Sequence, residues 1–182
     1  LKQDSAHMSA EELLKAIGAS ETHPEGLFAP DTYVYDPGIS DLEIYRQAYR
    51  AQMKLLQETW AARNPDLPYA SPYEALIMAS IIEKETGRAA ERSRVAAVFA
   101  NRLRQRMKLQ SDPTIIYGLV GGKGTLGRPI KRSEIQQPSP YNTYVIDGLP
   151  PGPIANPGRA SLEATANPAR TRDLFFVADG TG

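Results

Sequence analysis

Residues 71–86 read SPYEALIMASIIEKET, with an almost unbroken apolar run over residues 75–82 before Glu83, Lys84 and Glu85 arrive together. Ser71 can cap a helix, Pro72 suits the first helical position, and Glu74 completes an S-x-x-E box, so a helix is expected to start here. At about 100° per residue Ile77, Met78 and Ile81 share one face, and Glu85 continues that face one turn later. Glu83 points nearly the opposite way, beside Leu76 and Ala79. The E-K-E triplet has two readings. It is either a solvated helix tip or, at Glu85, a carboxylate whose pKa desolvation raises, as a general acid requires.

The same helical period recurs elsewhere. Ser9 and Glu12 form a second box ahead of Leu13, Leu14 and Ile17, with Gly18 as the stop. Ser40 and Glu43 form a third, followed by Leu42, Tyr45, Tyr49, Met53, Leu56 and Trp60 at three- and four-residue steps, which predicts a long helix ending near Arg63. Tyr45, Tyr49 and Trp60 read as core packing rather than as a sugar-stacking stripe. From about Glu91 another helix is expected to bury Val95, Val98, Phe99, Leu103 and Met107. Arg92, Arg94, Arg102, Arg104, Arg106 and Lys108 lie largely off that stripe and read as a solvated basic face. An Ala-rich helix over residues 161–166 ends at Asn167-Pro168.

The period shortens in other stretches. Residues 32–35, 144–146 and 174–177 are strand-like, the last as a buried strand. Asp112-Pro113 marks a turn, followed by either a short strand or a helical turn through Ile115 and Tyr117. The Gly-rich residues 120–129 read as a mobile loop or hairpin tip without the spacing of a phosphate-binding loop, and residues 133–137 as one helical turn at most. Glu25 and Asp31 flank Phe28, where acids either face a polar ligand or serve turns and caps. Six prolines stiffen residues 138–158; beside Tyr141, Asn142 and Thr143 they fit either a preformed groove wall or a plain structural loop. The expected fold is α+β: a helical first half whose capped helix packs against a small mixed sheet with Pro/Gly-rich loops.

Composition narrows the chemistry. With 182 residues one domain is expected, and a formal net charge of zero provides no overall field toward nucleic acid. There are no cysteines, which excludes disulfides and thiolate metal sites, and His7 and His23 are the only histidines. No stretch reaches the roughly 20 apolar residues that span a bilayer. The start on Leu1 and the stop in an Ala-Asp-Gly-Thr-Gly run read as a piece of something longer, which leaves the compartment open.

Six blocks in order carry a resemblance: EGLFAPDTY (residues 25–33), MASIIEKET (78–86), VFANRL with LQSDPTIIYG (98–118), YNTY (141–144), GLPPGPIANPG (148–158) and FFVADG (175–180). Together they resemble the YceG/MltG family of endolytic murein transglycosylases. The resemblance implies a transglycosylase catalytic domain over residues 25–182, with residues 1–24 as an N-terminal flanking segment. It also implies a LysM-like domain and a single-pass inner-membrane anchor ahead of that domain, which would face the periplasm, and a G-G-H-x-F-like tail after the ADG block. Glu85, the second Glu of the E-K-E-T block, takes the family's catalytic position. Gln110, Asp112, Tyr117, Tyr141 and Asn142 lie in shared blocks and offer groups suited to sugar hydroxyls and N-acetyl groups.

The activity so implied cleaves the β-1,4 bond between N-acetylmuramic acid and N-acetylglucosamine without water, leaving 1,6-anhydro ends and limiting nascent strand length. One carboxyl serves as acid and then as base, whereas hydrolytic glycosidases use two carboxylates about 5–10 Å apart. Asp112 is the residue to watch as a second. No metal or organic cofactor is implied. The expected partners are peptidoglycan glycan strands and peptidoglycan synthases, with no nucleic acid. A lysozyme-like hydrolase and a non-catalytic glycan-binding scaffold of the cell-wall machinery are the alternatives.

Overall fold

The computed structural model describes residues 1–177, and among these the regular structure is helical. Helices α1 (Ala10–Ile17), α2 (Asp41–Ala61), α3 (Pro72–Glu85), α4 (Ala89–Arg104), α5 (Asp112–Val120), α6 (Arg132–Ile135) and α7 (Arg159–Ala166) follow one another in the chain. The caps explain several starts. Ser9 accepts from the Glu12 amide, Ser40 from Leu42 and Ser71 from Glu74. Glu74 sends its carboxylate back to the Ala70 amide, one residue before the cap. Gly18 ends α1 at φ +79, the left-handed conformation that glycine adopts most readily.

Helix α3 is the axis of the molecule. Every residue from Ala75 to Ile82 along it is buried, as expected of a helix that is apolar all round. It packs against α7, α4, α2 and α5. Met78, Ile81 and Ile82 join Phe99, Val95 and Leu109 in one cluster, while Leu76 and Ala79 join Leu14, Leu27, Leu56 and Leu162 in another. The helix thus separates two halves of the core and belongs to both. Tyr49 and Trp60 of α2 pack against these clusters, as their helical spacing predicts.

The expected mixed sheet is not there. Among the described residues the only β pairing is an isolated parallel bridge between Lys2 and Ser40. Residues 32–35 are irregular, with Val34 90% exposed. Residues 144–146 wind into a turn in which the Val145 and Ile146 amides both donate to the Asn142 carbonyl at 3.0 Å. Residues 174–177 form an irregular segment with Val177 91% exposed, so they are neither a strand nor buried. Ala178, Asp179 and Gly180 of the FFVADG block, with Thr181 and Gly182, lie outside the described residues.

The physical reason is common to all three segments. β-branched and aromatic residues suit a pleated surface, but a run of three or four gains nothing without a neighbouring strand. Here the backbone groups find local turns or side chains instead. Past Asp112-Pro113 the chain adopts the helical alternative, as α5.

The loops are clamped to the helices and to one another. Gln52, fully buried on α2, donates from Nε2 to the carbonyls of Gly26 (3.1 Å) and Pro157 (2.9 Å). The Phe28 amide donates to Asn156 Oδ1, and Ser80 of α3 accepts the Ile154 amide at 3.0 Å. The EGLFAP and GLPPGPIANPG stretches therefore meet face to face across α2 and α3.

Candidate active site

The last turn of α3 presents two carboxylates to different partners. Glu83 accepts a hydrogen bond from the Ser161 hydroxyl on α7. Glu85, half-buried, accepts one from Ser111 Oγ at 2.6 Å. Desolvation raises the pKa of Glu85, and the nearby charge of Asp112 pushes the same way; the Ser111 hydrogen bond and the Arg102 charge oppose them. The balance keeps the carboxyl above its ordinary range. A half-buried carboxyl of raised pKa can deliver a proton to a leaving oxygen at a higher pH than a free one can.

The second wall is the start of α5 and what holds it. Ser111 is the N-cap residue, yet no helix amide uses its hydroxyl. Its amide donates to Thr143 Oγ1 at 2.9 Å, and its carbonyl accepts from Thr114 Oγ1 at 2.6 Å. The two threonine hydroxyls lie 2.8 Å apart, buried. Asp112 is exposed and accepts from the Tyr144 hydroxyl at 2.5 Å. Desolvation first, and that bond to Asp112 second, push the Tyr144 pKa up to about 12, so the phenol keeps its proton.

Arg102 closes the site from α4. It is 8% exposed, not part of a solvated basic face. Its guanidinium donates to the carbonyls of Leu174 (2.7 Å), Leu109 (2.9 Å) and Lys108 (3.3 Å), and it lies 5.0 Å from the centre of the Phe175 ring. A buried cation held by three carbonyls is tolerable in a way that a bare one is not.

A neighbouring cavity of about 530 Å³ is lined by Glu25, Lys84, Tyr117, the glycines Gly121, Gly122 and Gly124 with Thr125 and Leu126, and the 154–156 loop. Glu85 does not line it; the adjacent residue Lys84 does. On this side the Tyr117 hydroxyl lies 3.0 Å from His23 Nε2 and hydrogen-bonds the Glu25 carboxylate. The Tyr117 and Tyr141 rings stand 4.7 Å apart. Burial, then the Glu25 charge, raise the pKa values of both tyrosines.

The six residues singled out from the sequence thus fall into three places. Glu85 and Asp112 come together around Ser111. Tyr117 and Tyr141 pair beside the cavity. Gln110 and Asn142 stand apart from both. Gln110 is exposed, with its backbone in the left-handed region at φ 53 and its amide on the Thr143 carbonyl. Asn142 is 1% exposed, and its side-chain amide donates to the carbonyls of Glu134, Ile135 and Gln137 while its Oδ1 accepts the Tyr144 amide. Of the two acids weighed around Phe28, Glu25 faces the cavity, whereas Asp31 accepts its neighbour's amide on the exposed loop.

Sequence reasoning passed over Ser111, Tyr144 and the depth of Arg102. Ser111 did leave a signal. A helix-capping serine serves the amides of the second or third helical residue, and Pro113 has no amide to offer, so its hydroxyl was the one most free for another partner. Among the described residues no three His, Asp or Glu side chains gather as metal ligands.

The family match spans the whole chain, and the individual relatives match most of it. The model of the YceG-like family matches residues 1–182. A Bacillus subtilis protein named endolytic murein transglycosylase is 38% identical over 161 residues, covering 88% of this chain and 43% of that protein. A Streptococcus pneumoniae protein of the same name is 37% identical over 141 residues, covering 70% of this chain and 25% of that protein. A crystal structure of a YceG-like protein from Listeria monocytogenes superposes with a TM-score of 0.74 at 33% identity, over 92% of this chain and 57% of that one. The chain thus spans less than half the length of the curated relatives it matches. On the full-length family match, supported by these relatives, the chain belongs to the YceG-like family.

Proposed function

We propose that this chain cleaves the glycan strands of peptidoglycan as a lytic transglycosylase, with Glu85 as the single acid and base. Residues 25–182 would carry the activity. The observation that supports this most is the setting of Glu85: a half-buried carboxyl of raised pKa, held by Ser111 at the end of a helix buried all round over residues 75–82. The relatives' name, endolytic murein transglycosylase, supports the substrate class.

In this reading Glu85 enters protonated and donates to the oxygen leaving C1 of the muramyl residue. The resulting carboxylate, stabilised by Ser111, takes the proton of the muramyl 6-hydroxyl as that oxygen closes on C1. Proton and bond counts balance without water. Asp112, exposed beside the site, supplies negative charge toward the cationic sugar. Gln110, Tyr117 and Tyr141 are proposed to bind the strand, and Asn142 to hold the 142–146 turn that carries Tyr144. No metal or organic cofactor takes part in this scheme.

A hydrolytic outcome is the second reading, favoured by Asp112 standing near Glu85. Digesting purified glycan strands and weighing the ends by mass spectrometry separates the two. Anhydro-muramyl ends are expected; reducing ends would establish hydrolysis instead, and binding without turnover would leave a scaffold. We place the domain at the cell wall, on the periplasmic side of the inner membrane, tethered by an N-terminal single-pass anchor of the kind the resemblance implies. There peptidoglycan synthases would be its neighbours, and strand length its output. No helix among the described residues is long and apolar enough to cross a membrane.

A further inference from the structure

We propose that Ser111 is a positioning residue for Glu85: its hydroxyl holds carboxyl oxygen Oε1 and leaves Oε2 as the oxygen that carries the transferable proton. This rests on the reading of Glu85 as the acid and base.

Three observations converge on it. Ser111 occupies the N-cap of α5 but gives its hydroxyl to Glu85 at 2.6 Å, and no helix amide uses it. Its backbone is pinned on both sides by Thr143 and Thr114, and the whole residue is 1% exposed. The preceding residue, Gln110, has φ 53, a conformation non-glycine residues adopt at a cost, so the turn aiming Ser111 is held against its local preference. An ordinary cap needs none of this.

The chemistry follows from donor and acceptor roles. A hydroxyl that donates to Oε1 makes that oxygen the carbonyl of the neutral acid, which places the acid proton on Oε2. Once the proton has left, the same bond stabilises the carboxylate. Four groups face Glu85 from the packed elements: Ser111 ahead of α5, Asp112 at its first turn, Arg102 on α4 and Tyr144 on the 142–146 turn. Ser111 and Arg102 favour the charged form, while Asp112 and desolvation oppose it. Removing the Ser111 hydroxyl therefore raises the Glu85 pKa further.

The test uses this chain with carbon-13-labelled glutamate carboxyls, read by NMR across pH, beside turnover of glycan strands. In Ser111→Ala the Glu85 resonance is expected to titrate at higher pH than in the parent, and the alkaline limb of the kcat profile to move with it. We expect kcat at the optimum to fall by tenfold or more, with KM changed less than threefold. Ser111→Thr keeps the hydroxyl and is expected to restore the parent titration. Thr143→Val, which removes the acceptor of the Ser111 amide, is expected to shift it part of the way.

A folded Ser111→Ala whose Glu85 titration and kcat profile match the parent overturns the proposal. So does a loss of activity equal at every pH with no change in titration, the signature of a merely structural serine. The two readings fail separately. Full activity in Glu85→Gln overturns the acid/base assignment and this inference with it, whereas an inactive Glu85→Gln beside an unchanged Ser111→Ala overturns this inference alone.

Discussion

Glu83 and Glu85 stand two positions apart on one helix, yet each is held by a serine from a different part of the chain. Ser161 on α7 takes Glu83, and Ser111 ahead of α5 takes Glu85. The spacing turns them roughly 160–200° apart, so one carboxylate fastens the helix to the core while the other meets Asp112 and Tyr144. The pair predicts a sharp difference. Glu85→Gln is expected to lower kcat by about 10²–10⁴. Glu83→Gln, still able to accept from Ser161, should keep activity within the same order of magnitude. Comparable losses in both variants would mean that the assignment has the wrong glutamate.

The same residue predicts a pH-dependent stability. The folded state raises the Glu85 pKa above 4.5, so it keeps that proton to a higher pH than the unfolded chain does. Folding stability is then lost as pH rises from about 4.5 through the raised value, and stays lost above it. Glu85→Gln escapes that loss and can still accept from Ser111. Thermal melts should show the variant equal to the parent near pH 4 and more stable at pH 7; a variant less stable at pH 7 contradicts this.

Glu134 behaves in the opposite sense. Its bonds to Arg128, first, and to the Lys131 amide hold its pKa down to about 2, from an ordinary 4.5. Its contribution is therefore complete above 4.5 and disappears as pH falls through about 2. Arg128→Ala should lower the melting temperature at pH 7, and the gap to the parent should narrow steadily on acidification. A gap independent of pH would assign the effect to packing of the arginine stem.

Gly26 has φ +87, and an added Cβ would stand 2.5 Å from Pro153 Cβ, where the EGLFAP loop meets the GLPPGP loop. Gly18 has φ +79 with open space around it. Gly18→Ala is expected to cost about 1–2 kcal/mol from backbone strain alone. Gly26→Ala adds the clash, for about 3 kcal/mol in all, or roughly 6–12 °C of melting temperature. Equal costs would show that the proline loop yields.

The parts of the fold readable from sequence were those with local causes. Ser9, Ser40 and Ser71 announced their helices because capping involves residues only two or three apart. That Glu83 and Glu85 meet different partners was legible from angular arithmetic because α3 is regular to Glu85, whereas a single apolar stripe was not found, since residues 75–82 are buried all round. The sheet failed because residues 32–35, 144–146 and 174–177 have strand-like side chains but no partner, and partners are not written locally. Arg102 was misjudged for the same reason. Its carbonyl partners at Leu109 and Leu174 come from turns beyond its own helix. Likewise Ser111 drew no attention in the sequence, because its partner Glu85 lies 26 positions earlier.

The all-round burial of α3 also shapes how the chain must be made. Its largest cover, α7, is synthesised roughly 75 residues after α3 ends, so this buried helix leaves the ribosome well before that neighbour exists. Contacts between segments so far apart slow folding even in a helical protein, because loop closure precedes any gain from packing. Chains cut short of residue 159 would therefore leave bare the side of α3 that α7 covers, and are expected to aggregate. The glutamate at the tip of that rod takes its partners Arg102, Ser111, Asp112 and Tyr144 from later in the chain, so its surroundings are incomplete until residue 144 has been made.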